Sequence, residues 1–435
     1  MSTIPIVTSG TGTAELVQGL ERLQGPVTVI RRCGELTELI AACQSGMARA
    51  AIVDDDAGEL TASLAERLAA SGVALVVLAD DEESRARLET LGIQHAPRSL
   101  ESSALAALVA EAVAGQEELF TARGSASSLA DPAEILRRWE LAGHEAEPAE
   151  PPPDTRGTVV AVWGPAGAPG RTTLALNLAA EAAAAGSRVL LIDADTYAPS
   201  IAAALGLTGE SAGVAQACRL ADQGLLDPAS LTGAGLSVDI KGQRMMVLTG
   251  ITRSDRWLEI RGSALARVLE QSRGAADIIV VDCGFSVEAD EELSFDTMAP
   301  RRNAATLIAL EHADTIYAVG AADPVGVPRL VRALGELETA VPGAAPLVVL
   351  NKVRRSAAGR GPERQLSQAW ERYGPGKIDA FLPADWDAAD AALLAGAALL
   401  EAAPASSLRT AIAALANVPA GTRRRNRRSR KAGAK

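Results

Sequence analysis

The sequence predicts an α/β protein made of two parallel-sheet domains in tandem. Three observations carry this. Short apolar runs alternate with helix-like stretches in two successive series. A proline- and acid-rich spacer, "EAEPAEPPPD", separates the series. At 435 residues the chain also exceeds what one hydrophobic core serves.

The first series occupies residues 1–118. "IPIVTSG", "VTVIRR", "RAAIVDDD" and "VALVVLAD" read as buried strands; "TAELVQGLERL", "ELTELIAACQSG", "LTASLAERLAAS" and "EESRARLETLG" read as the helices between them. "SALAALVAEAVAG" closes the domain. Residues 119–157 read as a linker, with the flexible stretch "RGSASS" and a short helix in "PAEILRRWELAG". The second series runs over 158–416, with strands at "TVVAVWG", "RVLLIDAD", "RMMVLTG", "DIIVVDCG", "TIYAVGAA" and "LVVLNKV". Residues 417–435 read as a disordered basic tail.

Composition excludes several classes. Hydrophobic content of 48% with 22% charged residues fits a soluble globular protein. An aromatic content of 3% argues against a base-stacking nucleic-acid surface. No apolar run approaches the roughly 18 residues that span a bilayer, and "MSTIPIVTSG" lacks the basic start of a secretory signal. Cys33, Cys43, Cys218 and Cys283 show no metal-like spacing. Cys33 and Cys43 are close enough in sequence to be bridged, but buried free thiols in a reducing cytoplasm are the expectation. His95, His144 and His312 are too dispersed for a metal site or a triad and are expected at surface or loop positions.

The net charge of −12 is unevenly placed. "TRRRNRRSRKAGAK", at the end, carries eight positive charges and leaves −20 on the rest. An acidic body argues against DNA binding outside the tail, which reads as an electrostatic handle for DNA or anionic lipid, or as a solubilising end.

The stretch "VVAVWGPAGAPGRTTLALNLA" has the strand, glycine-rich turn and helix of a phosphate-binding loop. Such a loop aims backbone N–H groups and a helix N-terminus at phosphates. Gly164, Gly167 and Gly170 shape it; Thr172 is placed to hold Mg²⁺, with Thr173 beside it. The standard spacing fails, because Gly164 stands six residues before Gly170 and the fifth is Pro165. Further strand ends follow in order: Asp193 and Asp195 in "VLLIDADTYAPS", Asp282 and Gly284 in "DIIVVDCGFS", Asn351 in "LVVLNKV". Asp282 is placed to orient Mg²⁺ through water, Gly284 to sense a γ-phosphate and Asn351 to read a base edge. An acidic strand end alone often binds nothing; four such fragments in this order are hard to obtain by chance.

On these motifs residues 158–416 resemble the MinD/ParA superfamily of deviant Walker A ATPases. The pairing with a receiver-like, flavodoxin-like first domain resembles the CpaE/TadZ branch. The resemblance implies a P-loop NTPase fold, ATP and Mg²⁺ as cofactors, and a nucleotide-dependent homodimer. It also implies a role in positioning a partner, such as Tad/Flp-type pilus or secretion machinery, at the inner membrane face or a cell pole. It assigns Gly170, Arg171 and Thr172 to the loop, Asp193 and Asp195 to the strand-end pair and Asp282 to the Walker B position, with Thr172, Asp193 and Asp282 at the metal and Arg171 beside Asp195 in catalysis. Asp195 would position the attacking water and Asn351 would read the base, with Pro383 and Asp385 of "FLPADWDAAD" near it.

The loop departs from the family's KGGxGK[ST][ST]. Ala166 replaces the lysine that crosses the dimer, Arg171 replaces the loop lysine, and Pro169 removes an N–H. The chain has five lysines against 37 arginines, so lysine-to-arginine drift accounts for Arg171 but not for Ala166. Nucleotide binding is therefore expected more firmly than hydrolysis. The readings left open are a switch, a scaffold without turnover, and ParA-like DNA partitioning. A cation to replace the one lost at Ala166 is sought in Arg301 or Arg302, which follow the insert "SVEADEELSFDTMAP" and precede a helix expected at Asn303.

In the first domain Asp54 stands where a receiver carries its phosphoacceptor. The acidic pair after the first strand is absent ("VTSG"), as is the lysine after the fifth ("HAPRS"). Asp54 is thus expected as a solvated carboxylate in an interaction module that is not phosphorylated.

Overall fold

The computed structural model describes residues 3–10, 14–23, 25–54, 60–124, 156–209, 211–288 and 301–416. The readings of the linker helix, of residues 289–300 of the acidic insert, of the basic tail and of His144 fall outside them. The chain divides into two compact units, built mainly on Met1–Thr155 and on Arg156–Lys435.

The first unit holds five parallel strands: β1 (Ile4–Ser9), β2 (Val27–Cys33), β3 (Ala50–Asp54), β4 (Ala74–Leu78) and β5 (Gln94–Ala96). Their order, β2-β1-β3-β4-β5, is the flavodoxin-like one. Ile6, Ile52 and Val76 pack on one face with Leu105 and Val109; Val7, Val53 and Val77 pack on the other with Leu39, Leu68 and Leu88. Successive residues therefore feed opposite cores, and the strands read as unbroken apolar runs because both faces are covered.

Two expectations for this unit are corrected. Asp54 is not solvated: its side chain is fully buried and accepts bonds from Arg98, through Nε at 2.8 Å and through Nη2. The cation that the sequence was expected to lack thus comes from "HAPRS" itself, carried by arginine. His95 lies within β5, half-buried, rather than in a loop.

The second unit holds eight strands: β6 (Thr158–Trp163), β7 (Val189–Ala194), β8 (Leu236–Ile240), β9 (Gln243–Leu248), β10 (Ile278–Cys283), β11 (Thr315–Ala321), β12 (Leu347–Val353) and β13 (Ile378–Pro383). The order is β13-β12-β11-β6-β10-β7-β9-β8, parallel except for the β8–β9 hairpin. That hairpin turns through Lys241 (φ 51°) and Gly242 (φ 82°), the two positive φ values that a tight turn between twisted strands requires. Edge strands β8 and β13 go beyond the strands read from the sequence, because their half-exposed faces break the apolar run. Leu174 and Leu178 of the Arg171–Ala184 helix cover one face with Leu408 and Ile412; Leu265, Leu269, Leu330 and Leu334 cover the other.

The sheet positions a site by its connectivity. β6 pairs with β10 on one side and β11 on the other, while β7 lies beyond β10. The chain therefore switches direction across β6, and the ends of β6, β7, β10, β11 and β12 all open on the same edge. Such switch points are where open parallel sheets bind ligands. All four cysteines are buried free thiols, as expected. Among the described residues no helix is long and apolar enough to cross a membrane.

Candidate functional site

At the end of β6 the chain enters its loop at Gly164. A Cβ there would lie 2.1 Å from the carbonyl oxygen of Val319 on β11, so only glycine lets the two backbones approach. Gly167 (φ 111°), Ala168 (φ 52°) and Gly170 (φ 100°) then turn the chain through left-handed conformations. Gly170 is the N-cap of the Arg171–Ala184 helix and offers no capping side chain. Its first-turn N–H groups are thus left to a ligand or to water.

The loop is held from β12. Asn351 Nδ2 donates to the Pro169 carbonyl at 2.8 Å, and Lys352 Nζ donates to that of Ala168 at 2.7 Å. Asn351 Oδ1 accepts the Lys352 N–H at 2.8 Å, and Lys352 itself has φ 61°, rare away from glycine. The Asn351 amide is therefore spent on the loop, and reading a base would require it to exchange these bonds. Asp385 caps the Trp386–Ala395 helix, accepting from Ala388 N and, at 2.8 Å, from Ser406 Oγ; the latter bond most of all holds its carboxyl below the usual range. Pro383 ends β13 in register with Val353, so it lies on the strand beside that of Asn351, with Asp385 two residues further along the chain.

Three carboxylates converge behind the loop, with Asp193 1%, Asp195 3% and Asp282 1% exposed. Thr172 Oγ1 donates to Asp282 Oδ2 at 2.6 Å. Asp193 accepts three backbone N–H bonds, from Asp195, Ser200 and Ile201. Asp195 Oδ1 accepts from Tyr197 and Ala198, and its Oδ2 accepts from Arg171 Nη2 at 3.2 Å. Arg171 Nη1 donates to the Gly164 and Pro165 carbonyls at 3.0 and 3.1 Å. The arginine thus folds back across its own loop and ties it to the aspartate pair.

One guanidinium does not balance three buried acids. Burial, with the charge of Asp195 added, pushes the Asp193 carboxyl up to about 7. Burial and the charge of Asp193 push Asp282 well above the carboxylate range. Unpaired atoms mark the same place. Asp282 Oδ1, Arg171 Nε and Thr306 Oγ1 are buried without a hydrogen-bond partner, three of only four such side-chain atoms among the described residues. Thr306 Oγ1 lies 3.0 Å, and Asp195 Oδ1 3.4 Å, from where a Cβ of Gly284 would stand. A divalent cation would offset the surplus negative charge. Among the described residues no three acid, histidine or cysteine side chains form a ready metal cage. The Thr172 hydroxyl and the unpaired Asp282 Oδ1 suit Mg²⁺, which takes one or two protein oxygens and completes its shell with phosphate and water.

The structure brings together Gly164, Gly167, Gly170, Arg171, Thr172, Asp193, Asp195 and Asp282. Thr173 follows Thr172, half-buried, in the first helical turn. Arg302 Nη2 donates to the Thr196 carbonyl at 2.7 Å, and its guanidinium stacks 4.1 Å from the Tyr197 ring centre, bracing the turn after Asp195. Arg301 is half-exposed, three residues before the Ala304–Glu311 helix, whose N-cap position, Asn303, makes no side-chain capping bond. Sequence reasoning missed Lys352, although a rare lysine next to Asn351 was a usable signal. It also missed Arg329 and Arg332, which belong to no motif.

The chain is similar to several solved structures. The cell division ATPase MinD of Pyrococcus furiosus aligns with a TM-score of 0.47 at 20% identity, covering 60% of this chain and 97% of its own. A ParA family ATPase from Chlorobium tepidum aligns at 0.48 and 21%, covering 60% and 98%. Cobyrinic acid a,c-diamide synthase from Mycobacterium smegmatis, solved with bound ADP and magnesium, aligns at 0.40 and 17%, covering 60% and 92%. No curated protein matches the sequence. The family model for the CobQ/CobB/MinD/ParA nucleotide binding domain matches residues 160–393, more than half of the chain, and the chain belongs to that family.

Proposed function

We propose that this protein is a nucleotide-dependent dimeric switch of the MinD/ParA type, binding ATP with Mg²⁺ at the 164–173 loop. The observation that carries the reading is the charge imbalance behind the loop, with its three unpaired buried atoms. Thr172 and Asp282 would hold the metal, Asp193 would orient the strand-end turn, and the N–H groups of Gly167, Gly170 and the following turn, including Thr173, would hold phosphate. Bound Mg²⁺ would neutralise phosphate charge. Asn351, Pro383 and Asp385 would line the base.

A specific contact favours the scaffold variant of this reading, with little hydrolysis. Asp195, the residue for water positioning, is held by Arg171, so Arg171 reaches a phosphate only by releasing Asp195. Binding and release of that contact make a switch without requiring turnover. The tandem of a flavodoxin-like domain with this nucleotide-binding domain supports the CpaE/TadZ-like assignment and a role in placing pilus or secretion machinery. The basic tail would add contact with anionic lipid or DNA.

Calorimetric titration of the full chain with ATP and ADP, each with and without Mg²⁺, tests the core of this reading. Magnesium-dependent heat is expected for both nucleotides. Folded protein that gives no heat with either would overturn it.

A further inference from the structure

The loop that has lost its lysine at Ala166 opens on a cavity of about 430 Å³. One wall is the first half of the loop, Pro165 to Gly167; a second is the segment that follows β10, Phe285 to Glu288. β6 and β10 are neighbours in the sheet, and Trp163 Nε1 ties their ends together by donating to the Phe285 carbonyl at 3.2 Å. The cavity therefore continues outward from the edge that carries Thr172 and Asp282. A polyphosphate held by the loop N–H groups would point its far end this way.

The third wall is the Gly326–Ala340 helix, and it is cationic where it meets the loop. Arg329 stands in the first turns of that helix, with Nη1 only 2.6 Å from where a Cβ of Gly167 would be. Gly167 thus makes room for this guanidinium as well as for its own turn. Arg332 follows three residues later on the same face and also lines the cavity. Among the described residues neither arginine forms an ion pair with an acid, although most of the ion pairs in the molecule are made by arginine. Glu336, a further turn along, and Glu288 are the acids that line the same space. Along the helix Arg332 lies between Arg329 and Glu336, and Arg329 is the cation at the loop.

We propose that Arg329, assisted by Arg332, binds the terminal phosphate of a nucleoside triphosphate and supplies the positive charge missing at Ala166. The inference rests on the proposed nucleotide site and adds how a triphosphate is told from a diphosphate. A guanidinium matches a phosphate oxygen pair by two parallel N–H bonds, a contact that a diphosphate too short to reach it does not make.

The test is calorimetric titration of full-length wild type, Arg329→Ala, Arg329→Lys and Arg332→Ala with Mg²⁺ and either a non-hydrolysable ATP analogue or ADP. Arg329→Ala should weaken the triphosphate analogue about tenfold, or about 1.4 kcal/mol, and change ADP less than threefold. Arg332→Ala should show the same selectivity at about threefold, and Arg329→Lys should recover part of the loss. Arg329 is exposed, so melting without nucleotide should match wild type. Equal losses for both nucleotides, or no loss for either, would overturn the inference while leaving the nucleotide site in place. Folded wild type that binds neither nucleotide would overturn both together.

Discussion

Two sheet edges in this molecule carry buried aspartate against arginine, and they end in opposite electrostatic states. In the first unit Asp54, at the end of β3, meets Arg98, which also donates to Asp80 from its backbone N–H at 2.8 Å and from Nη1 at 3.3 Å. One buried acid finds one guanidinium. In the second unit three buried acids share Arg171, and Asp282 Oδ1 and Arg171 Nε remain unpaired. Parallel-sheet geometry delivers acids to the edge in both cases. The charge count decides which edge closes on itself and which is left to take a ligand.

The comparison breaks most visibly if the closed edge is opened. Arg98→Ala would leave Asp54 buried without its counter-charge, which costs about 3–5 kcal/mol when such a pair is cut. Denaturant unfolding should show that loss, and Asp54→Asn in the same chain should restore most of it. A loss under 1 kcal/mol would mean that the pair does not close the edge. At the open edge a substitution should act in the opposite sense on stability. Above the pH at which Asp282 ionises, Asp282→Asn removes one surplus charge, so the free protein should gain about 1 kcal/mol there, while Mg²⁺-dependent nucleotide affinity falls about a hundredfold, roughly 2.7 kcal/mol. Melting and calorimetry on one preparation would separate the two effects; a destabilised Asp282→Asn would contradict the surplus. Arg171→Lys should do least. Lysine keeps the charge but cannot fork between the Gly164 and Pro165 carbonyls and Asp195. A stability change under 1 kcal/mol and only a slight rise in turnover are expected, because Ala166 is unchanged. Full family-like turnover from this one substitution would show that the loop cation alone was limiting.

Much of this was legible in the sequence because it rests on local rules. Apolar runs such as "DIIVVDCG" can lie only where both faces are covered, and the aspartates that end them mark the sheet's open edge. Gly164, at odds with standard loop spacing, finds its reason only in space, where the β11 backbone leaves no room for a Cβ. Long-range partners left no such mark. Arg98 is 44 residues from Asp54, and Lys352 reaches back 184 residues to Ala168. Arg329 meets Gly167 only after β11 has crossed to the far side of β6. Asn351 was legible as a strand-end polar residue and Asp385 only through the family resemblance, but their present bonds to the loop and the helix cap depend on packing that sequence order does not encode.

The surplus charge at the second edge is tested most directly by stability against pH, with and without Mg²⁺ and nucleotide. Asp193 is raised from 3.8 to about 7 in the folded protein. Between those values the native state keeps a proton that the unfolded chain has released. The unfolding free energy should therefore fall as pH rises through this window, by about 1.4 kcal/mol per pH unit while Asp193 alone governs. Asp282 is shifted in the same direction. Saturating Mg²⁺ with nucleotide should flatten the fall by supplying the missing positive charge. Chemical unfolding of the full chain from pH 5 to 8 should show the slope in the free protein and its loss on loading. A free protein whose stability is level or rises over this range, or one whose slope persists when loaded, would contradict the charge imbalance.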